Sequence, residues 1–340
     1  MNDESIVRYY GDTLTNQADL KTGACCSAEA MPAYLQDWLR KIPREVSERF
    51  YGCGSPIPAA VEGSSVLDLG CGTGRDAYLV SRLVGAQGRV IGIDMTPQQL
   101  AIARRNRAAH CDASGLDNLD FRDGRIENLA AAGIADASID VVISNCVVNL
   151  SCDKAAVLSE VFRVLKPGGE LFFSDVFADR RIPTALLDDP VLRGECLAGA
   201  FYLEDFRRLL AQVGCADYRI VARNPVPLLD AQIEARIGMV RFESITVRAF
   251  KLDLEDRCED YGQMATYRGS IPHHPHAFVL DDHHRFETGR PHLVCSNTAD
   301  MLGATRYAAH FDSTAKRAHF GLFPCAPGAT AQAATVAACC

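Results

Sequence analysis

Residues 66–76 read VLDLGCGTGRD, an apolar run followed by three glycines at alternate positions. The run has the composition of a buried strand, and the glycines predict a tight turn that leads into a helix. Such a turn lets a ligand approach the backbone, and the helix offers free N–H groups. The spacing is D-x-G-x-G-x-G, whereas a dinucleotide fingerprint has G-x-G-x-x-G. We therefore predict a ligand-binding turn, with a NAD site or a ligand-free turn as alternatives.

Strand-like and helix-like patterns alternate outward from this turn, from residue 64 to about 252. Five apolar runs have strand length: 64–71, 89–96, 118–124, 139–146 and 170–178. Residues 96–110 and 153–166 have helical patterns, and Thr96 with Gln99 predicts a capping box at the first of them. The alternation predicts an α/β fold with a doubly wound, mostly parallel, Rossmann-like sheet.

Composition divides the chain into four segments. We expect an N-terminal helical extension with a mobile cysteine loop, a ligand-binding domain, a small C-terminal α+β domain and a flexible Ala/Thr-rich tail, at 1–50, 51–252, 253–325 and 326–340. The formal net charge is −8 with no long basic run, so a nucleic-acid partner is not expected. No signal peptide or apolar run of membrane-spanning length is seen, which predicts a cytoplasmic protein without a membrane partner. A monomer is the default expectation.

The chain has 14 cysteines, an unusual number for a protein of this length. Without a signal peptide, reduced thiols are expected rather than a disulfide framework. No C-x-x-C pair occurs, so the cysteine spacing does not indicate zinc. A single cysteine is more often a small buried residue than a functional one, and we interpret Cys258, Cys295 and Cys325 as structural. The role of the Cys339-Cys340 pair stays open between capture of a thiophilic ligand and an inert tail.

An acid follows the glycine turn at a position that suits a ribose. Asp94 ends the second predicted strand, and residues 124–127 form a GRIE turn after the third. A carboxylate at the end of the second strand accepts hydrogen bonds from ribose hydroxyls. With the D-x-G-x-G-x-G turn, this arrangement resembles the S-adenosylmethionine site of class I methyltransferases. The resemblance implies these cofactor-binding residues: Asp68, Gly70, Gly72, Gly74, Arg75, Asp94, Met95, Ile126, Glu127 and Asn145.

Four cysteines stand in distinctive sequence contexts. Cys146 ends the fourth strand, where a doubly wound sheet opens its ligand crevice. Cys25, Cys53 and Cys196 lie in DLKTGAC, FYGCG and GECLAGA. With SNCVVNL and LKPGGELFFSDV, these stretches resemble the arsenite S-adenosylmethionine methyltransferases nearly continuously from about residue 8 to 250. CEDYGQMATYRG and VCSNTADMLGATRYAAHF resemble that family more loosely.

The resemblance implies roles for these four cysteines, with Cys26 as the alternative to Cys25. Cys53, Cys146 and Cys196 would bind trivalent arsenic as thiolates beside the sulfonium methyl group, because soft sulfur ligands select soft centres. The arsenic lone pair would then be the nucleophile, and no general base would be needed. Cys25 would be the resolving thiol in a cycle that uses a thiol reductant, thioredoxin or glutathione.

Two other functions remain as alternatives. Another class I small-molecule methyltransferase would act on a carbon, nitrogen or oxygen nucleophile, and it would have no use for four thiols around the site. A thiol-rich arsenic-binding protein without catalysis would not need the glycine turn and Asp94. We give Asp175 no role, and we interpret the histidines of residues 273–276 as a polar surface turn.

Overall fold

The computed structural model describes residues 3–14, 31–187, 189–228 and 230–325. The α-helices of this part are α1 Asp3–Arg8, α2 Ala33–Leu39, α3 Arg44–Ser47, α4 Arg75–Val84, α5 Pro97–Ser114, α6 Lys154–Val164, α7 Pro190–Gly194, α8 Leu203–Gln212, α9 Ala231–Ile237 and α10 Ser296–Gly303. Its first eight strands are β1 Ser65–Leu69, β2 Arg89–Asp94, β3 Leu119–Asp123, β4 Ile139–Asn145, β5 Leu165–Ala178, β6 Phe201–Tyr202, β7 Tyr218–Pro225 and β8 Phe242–Phe250. The shorter strands that follow are β9 Glu259–Asp260, β10 Gln263–Tyr267, β11 Ala277–Val279, β12 Arg285–Glu287, β13 Pro291–Val294, β14 Phe311–Ser313 and β15 Gly321–Leu322.

The first eight strands form one sheet in the order β3-β2-β1-β4-β5-β8-β7, with β6 paired to the end of β5. Strands β1 to β6 pair in parallel, whereas β8 pairs antiparallel with both β5 and β7. The strand order reverses direction between β1 and β4, which is where an open α/β sheet forms its ligand crevice. The prediction of a doubly wound, mostly parallel sheet is confirmed.

Helices cover both faces of this sheet. Along β1, Val66 belongs to one apolar cluster with residues of α4 and α5, while Leu67 belongs to another with residues of α6 and α8. Successive side chains of a strand point to opposite faces, so a continuous apolar run is what a sheet buried on both faces requires. The apolar composition of the strands therefore follows from their position between two helical layers.

The start of α5 differs from the sequence-based expectation. Thr96 is the N-cap and Pro97 the first helical residue, but the Thr96 side chain makes no capping hydrogen bond. The side chain of Gln99 donates to the backbone oxygen of Tyr10 at 2.8 Å. The predicted capping box is therefore wrong, because Gln99 holds the N-terminal segment instead of the helix end.

The chain after β8 forms three small antiparallel sheets, β13-β10-β14, β11-β12 and β15-β9. They enclose an aromatic-rich core that includes Tyr267, Phe278, Phe286 and Tyr307. None of the helices among the described residues is long and apolar enough to cross a membrane. The predicted cysteine loop with Cys25 and Cys26, and the predicted tail with Cys339-Cys340, lie outside the described residues.

Candidate active site

The carboxyl ends of β1, β2 and β4 open into a cavity of about 970 Å³. Its wall includes the glycine turn after β1, residues 94–96 after β2, residues 145–147 after β4 and residues 49–52 that precede the sheet. Ile6 and Tyr10 of the N-terminal segment close one side. The cavity is therefore at the crevice that the strand order defines.

The glycine turn keeps its backbone open to this cavity. Gly70 and Gly72 have φ of +64° and +53°, in the left-handed region that disfavours other residues. A Cβ on Gly70 would clash with Val147, whereas a Cβ on Gly72 would meet nothing nearer than Gln99 Oε1 at 4.0 Å. The space beside Gly72 therefore admits a ligand against the main chain.

Asp68 presents a buried carboxylate to the cavity. Its Oδ2 atom makes no hydrogen bond among the residues that the structure describes, although the side chain is only 3% exposed. Burial, together with the neighbouring Asp76 and Asp94, raises the pKa of Asp68 well above its usual value. A buried acceptor of this kind is stabilised by a cation, and the ammonium group of an amino acid would supply one.

Asp94 is held at the end of β2 by two backbone N–H groups. Gly72 donates to Oδ2 at 2.9 Å and Thr96 donates to Oδ1 at 2.7 Å. Burial raises the pKa of this carboxyl. Each oxygen keeps a second lone pair, so the carboxylate can accept from the two hydroxyls of a ribose.

The far end of the cavity is lined by Met95, Gly124, Ile126 and Glu127. Ile126 is 8% exposed and gives this end an apolar wall. The Ser151 hydroxyl donates to Glu127, which fixes that carboxylate at the rim. A flat ring with polar edges, such as adenine, fits this combination of an apolar wall and a polar rim.

Arg75 does not line the cavity. Its guanidinium pairs with the neighbouring Asp76 at 2.7 Å and lies 3.0 Å from the centre of the Phe50 ring. Asp76 and Phe50 do line the cavity, so Arg75 supports two wall residues from behind. The direct contact of Arg75 with a cofactor, which the sequence pattern predicts, stays a prediction.

Asn145 lines the cavity and also holds the segment that carries Cys53. Its Oδ1 accepts from the backbone N–H groups of Cys53 and Gly54 at 3.0 and 3.2 Å. Its Nδ2 donates to the Gly54 oxygen and to Asp76, both at 2.9 Å. Three of these four hydrogen bonds show that Asn145 positions the loop of Cys53, a role that the sequence pattern does not reveal.

The sulfurs of Cys53 and Cys146 are joined in a disulfide, with their Cα atoms 5.8 Å apart. The family resemblance implies that both are thiolates, whereas in the structure they are oxidised to each other. The two residues are 93 positions apart in sequence, and the end of β4 and the loop held by Asn145 bring them together. Cys146 lines the cavity, so this bond lies at its wall.

Cys196 packs directly behind Cys146. Its thiol donates to the backbone oxygen of Cys146 at 3.1 Å, and its side chain is fully buried. Cys146 and Cys196 have φ of +58° and +63°, a conformation that costs energy for residues other than glycine. Two of the three cysteines predicted to bind arsenic thus have a strained backbone next to the cavity.

An acid that the sequence analysis leaves without a role lies beside these sulfurs. A carboxylate oxygen of Asp175 is within 4.8 Å of both disulfide sulfurs, and burial raises the pKa of Asp175 to about 7. Asn149 donates to it through its backbone and side-chain N–H groups. Its place in SDVFA, near the carboxyl end of a buried strand, is the only sequence signal that could have indicated it.

The N-terminal segment reaches the loop of Cys196. The Tyr10 hydroxyl donates to the Gly194 oxygen at 2.7 Å, and the Tyr9 hydroxyl donates to Glu195 at 3.4 Å. The chain that leads toward the predicted Cys25 loop is thereby anchored at the cavity. No feature of the tyrosines in sequence points to this contact.

These features define the class of the protein. The cavity fits S-adenosylmethionine: Asp68 can accept from its ammonium group, Asp94 can accept from its ribose hydroxyls, and the apolar end can hold its adenine. The strand order and the glycine turn are those of a methyltransferase domain. Residues 60–214 match a family model described as a methyltransferase domain. Residues 261–334 match one described as the arsenite methyltransferase C-terminal domain.

Relatives cover almost the whole chain. An arsenite methyltransferase from Aquipseudomonas alcaligenes is 52% identical over 344 residues, which cover 99% of each chain. One from Mus musculus is 40% identical over 91% of this chain and 82% of its own. A crystal structure of an arsenic(III) S-adenosylmethionine methyltransferase from Chlamydomonas reinhardtii, 51% identical, superposes with a TM-score of 0.83 over 86% of this chain and all of that one. The chain belongs to the arsenite methyltransferase family.

Proposed function

We propose that the protein transfers the methyl group of S-adenosylmethionine to trivalent arsenic held by the thiolates of Cys53, Cys146 and Cys196. The observation that supports this most strongly is that Cys146 lines the cofactor cavity, with Cys53 bonded to it and Cys196 packed directly behind it. An alternative methyltransferase with an organic substrate would have no use for three thiols at that wall.

Trivalent arsenic suits three sulfur ligands. Arsenous acid and three thiols condense to a tris-thiolate and three waters, and arsenic keeps its lone pair. Bound S-adenosylmethionine supplies an electrophilic methyl group: a carbon–arsenic bond forms as the carbon–sulfur bond breaks, and S-adenosylhomocysteine leaves. Asp68, Asp94 and the Gly72 backbone hold the donor, and the cysteines hold the acceptor. Catalysis by this site is mainly the positioning of the two reactants.

The disulfide has a place in this reaction. Methyl transfer makes arsenic formally pentavalent and positively charged, and loss of two thiolate ligands as a disulfide returns it to the trivalent state with no external electrons. Water takes the open ligand position and releases a proton. Cys53 and Cys146 are two of the three proposed ligands, and their disulfide is the product that such a step would leave. Two equivalents of a thiol would then reduce the pair and be oxidised to a disulfide themselves.

The reductant needs a route to these sulfurs. Cys53 is fully buried and Cys146 is 3% exposed, so a large reductant cannot reach the bond directly. Cys25 would act as the resolving thiol: it attacks the Cys53 sulfur, releases Cys146 as a thiolate and presents a mixed disulfide to thioredoxin or glutathione. The contacts of Tyr9 and Tyr10 with residues 194–195 support this arrangement, because they hold the preceding segment at the cavity.

Arsenic speciation after incubation with arsenite, S-adenosylmethionine and a thiol tests the proposal. We expect methylated arsenicals from the wild type and from Cys111→Ser, whose thiol lies on α5 away from the cavity wall, and none from Cys196→Ser. We also expect Cys25→Ser to complete a single turnover but to lose repeated turnover, because the disulfide left between Cys53 and Cys146 is then not resolved. Absence of methylated arsenic while S-adenosylmethionine binds would refute the reaction; arsenic binding without methylation would favour a binding protein.

A further inference from the structure

Three cysteines of the C-terminal part meet at a second place in the fold. The sulfurs of Cys258, Cys295 and Cys325 lie within 4.8 Å of one another, and all three are free thiols. Cys295 is fully buried, and the other two are half-buried. We call these three residues the C-terminal thiol cluster. Their sequence contexts gave no reason to group them, and the structure does so.

Separate strand pairings bring the three thiols together. Strands β9 and β15 pair antiparallel, so that Phe323 donates to the Cys258 oxygen at 2.7 Å and Cys325 ends beside Cys258. Cys295 follows β13, which pairs with β10 in a different small sheet, and it is the N-cap of α10. The cluster therefore depends on the folded arrangement of two sheets and a helix.

The surroundings of Cys295 favour a thiolate. The backbone N–H of Thr298 at the start of α10 donates to its sulfur at 3.4 Å, and the Thr298 hydroxyl lies 3.2 Å from it. The guanidinium of Arg219 lies 3.9 Å away. Hydrogen bonds from the other two thiols and from the Thr298 hydroxyl, together with the Arg219 cation, lower the pKa of Cys295, and the pKa values of Cys258 and Cys325 are raised in turn.

The number of ligands and the charge around them indicate the ion. No histidine, carboxylate or fourth cysteine joins these sulfurs among the residues described, whereas structural zinc sites have four protein ligands. Arg219 is already paired with Asp217 at 2.7 Å and with Asp281 at 3.4 Å. A tris-thiolate of zinc would carry a net negative charge next to these acids, but a tris-thiolate of trivalent arsenic is neutral.

We propose that the C-terminal thiol cluster binds one trivalent arsenic as a tris-thiolate, separately from the methyl-transfer site. Arsenous acid and the three thiols form three arsenic–sulfur bonds and release three waters, with no change of oxidation state. The three cysteines adjoin β9, β13 and β15 of the small C-terminal sheets, and none of them lines the cofactor cavity or contacts a residue proposed to bind the methylated arsenic, so arsenic bound here is not the arsenic that is methylated. The site gives the protein a second arsenic-binding function that does not depend on the proposed reaction.

The test uses the full chain with the other candidate arsenic ligands removed. In this background the following cysteines are serine: Cys25, Cys26, Cys53, Cys146, Cys196, Cys339 and Cys340. The protein is reduced with a phosphine, exposed to arsenite and desalted, and arsenic per chain is measured by mass spectrometry. We expect one arsenic, with three sulfur neighbours in its X-ray absorption spectrum.

Two further variants in this background distinguish the cluster from other thiols. Cys325→Ser removes a half-buried ligand near the end of the described chain, and we expect arsenic affinity to fall about 100-fold because one of three linked ligands is lost. Cys215→Ser removes a buried thiol outside the cluster and should still bind one arsenic. Circular dichroism checks that each variant is folded, and Cys258→Ser repeats the test if Cys325→Ser is not.

Several results would overturn the proposal. The first is that the folded background protein binds no arsenic. The second is that folded Cys325→Ser binds arsenic as tightly as its parent. The third is that the protein holds one zinc that arsenite does not displace. Titration of fewer than three accessible cluster thiols after phosphine treatment and unfolding would show a covalent modification instead. Because the background cannot methylate, none of these results bears on the proposed reaction.

Discussion

The protein has two groups of three cysteines whose surroundings differ in charge. The three cysteines that we propose to be catalytic, Cys53, Cys146 and Cys196, are called the catalytic thiol set. They lie beside the cofactor cavity next to the buried acid Asp175, and two of their sulfurs form a disulfide. The C-terminal thiol cluster lies next to Arg219 and the N-terminus of α10, and its thiols are free. Cysteine count alone would make the two groups equivalent.

The difference shows how surroundings can assign opposite tasks to one residue type. A carboxylate disfavours a neighbouring thiolate, whereas a guanidinium and a helix N-terminus favour it. In the proposed reaction the catalytic thiol set loses its ligand and is oxidised in every cycle, so weaker stabilisation of its thiolates suits turnover. The C-terminal thiol cluster has a stabilised thiolate, which suits retention of an ion.

Replacing one cysteine of each group should change the rate of arsenic methylation very differently. We expect Cys146→Ser to lower the rate of arsenic methylation by at least about 1,000-fold, because one ligand that fixes arsenic at attack geometry is lost. Cys325→Ser should retain the wild-type rate within about twofold, since its thiol does not line the cofactor cavity. Rates from arsenic speciation over time check both. Equal losses in the two variants would show that the groups do not have separate tasks.

The acid beside the catalytic thiol set gives a pH-dependent effect. Asp175 has a pKa of about 7 in the folded protein and an ordinary pKa when unfolded, so its contribution to stability is present below pH 4 and is lost as the pH rises through 7. We expect the wild type to lose on the order of 4 kcal/mol of unfolding free energy from this group between pH 4 and pH 8, and Asp175→Asn to lack that loss.

Urea unfolding of reduced protein at the two pH values measures this loss. Asp179→Asn is the matched control, because Arg180 lowers the pKa of the Asp179 carboxyl to about 2 and its titration falls below this range. The wild type and Asp179→Asn should therefore show the same change in unfolding free energy between the two pH values. If the unfolding free energy of Asp175→Asn changed between these pH values as much as that of the wild type, Asp175 would be ionised at both. It would then not distinguish the two groups.

Replacement of Asp68 tests whether cofactor binding at the cavity is independent of the C-terminal thiol cluster. We expect Asp68→Asn to weaken S-adenosylmethionine binding about 100-fold in titration calorimetry, because a charge-assisted hydrogen bond to the ammonium group becomes neutral. Asp120→Asn on β3, whose side chain is exposed, should bind as the wild type does. Arsenic uptake by the C-terminal thiol cluster should be unchanged in both. A change in that uptake would indicate that the two sites are coupled.

The smallest expected effect concerns Arg219. Its replacement in Arg219→Met removes a cation 3.9 Å from the Cys295 sulfur, and we expect the thiolate absorbance of the cluster to titrate about one pH unit higher. Arg223→Met, on the same strand but paired with Glu243 at the surface, is the control. An unchanged titration in Arg219→Met would leave the helix N-terminus as the source of the thiolate.

Much of the fold and half of the site follow from local sequence patterns. The strand, glycine turn and helix at 66–76 and the acid at Asp94 are predictable because neighbouring residues determine their geometry. Cys146 is predictable too, since the carboxyl end of a parallel strand is where ligands bind. These features need no knowledge of distant contacts.

The rest depends on contacts between residues far apart in sequence. Arg75 follows the glycine turn as expected, but Phe50 and Asp76 take its guanidinium away from the cavity. The same holds for Gln99, which binds Tyr10 instead of capping its helix. The C-terminal thiol cluster forms only when β9 meets β15, and no spacing rule covers that pairing.

Single-turnover labelling tests whether Cys53, Cys146 and Cys196 hold the arsenic that is methylated and whether the reaction leaves a disulfide. A variant with Cys258, Cys295 and Cys325 replaced by serine is reduced, loaded with one arsenite and mixed with S-adenosylmethionine that carries a labelled methyl group. The account predicts one labelled methylarsenical per chain, and with it a protein that has lost two titratable thiols to a disulfide between Cys53 and Cys146. If labelled methylarsenic forms without loss of thiols, the redox step is contradicted. If labelled methylarsenic does not form, the assignment of Cys53, Cys146 and Cys196 as the ligands of the methylated arsenic is contradicted.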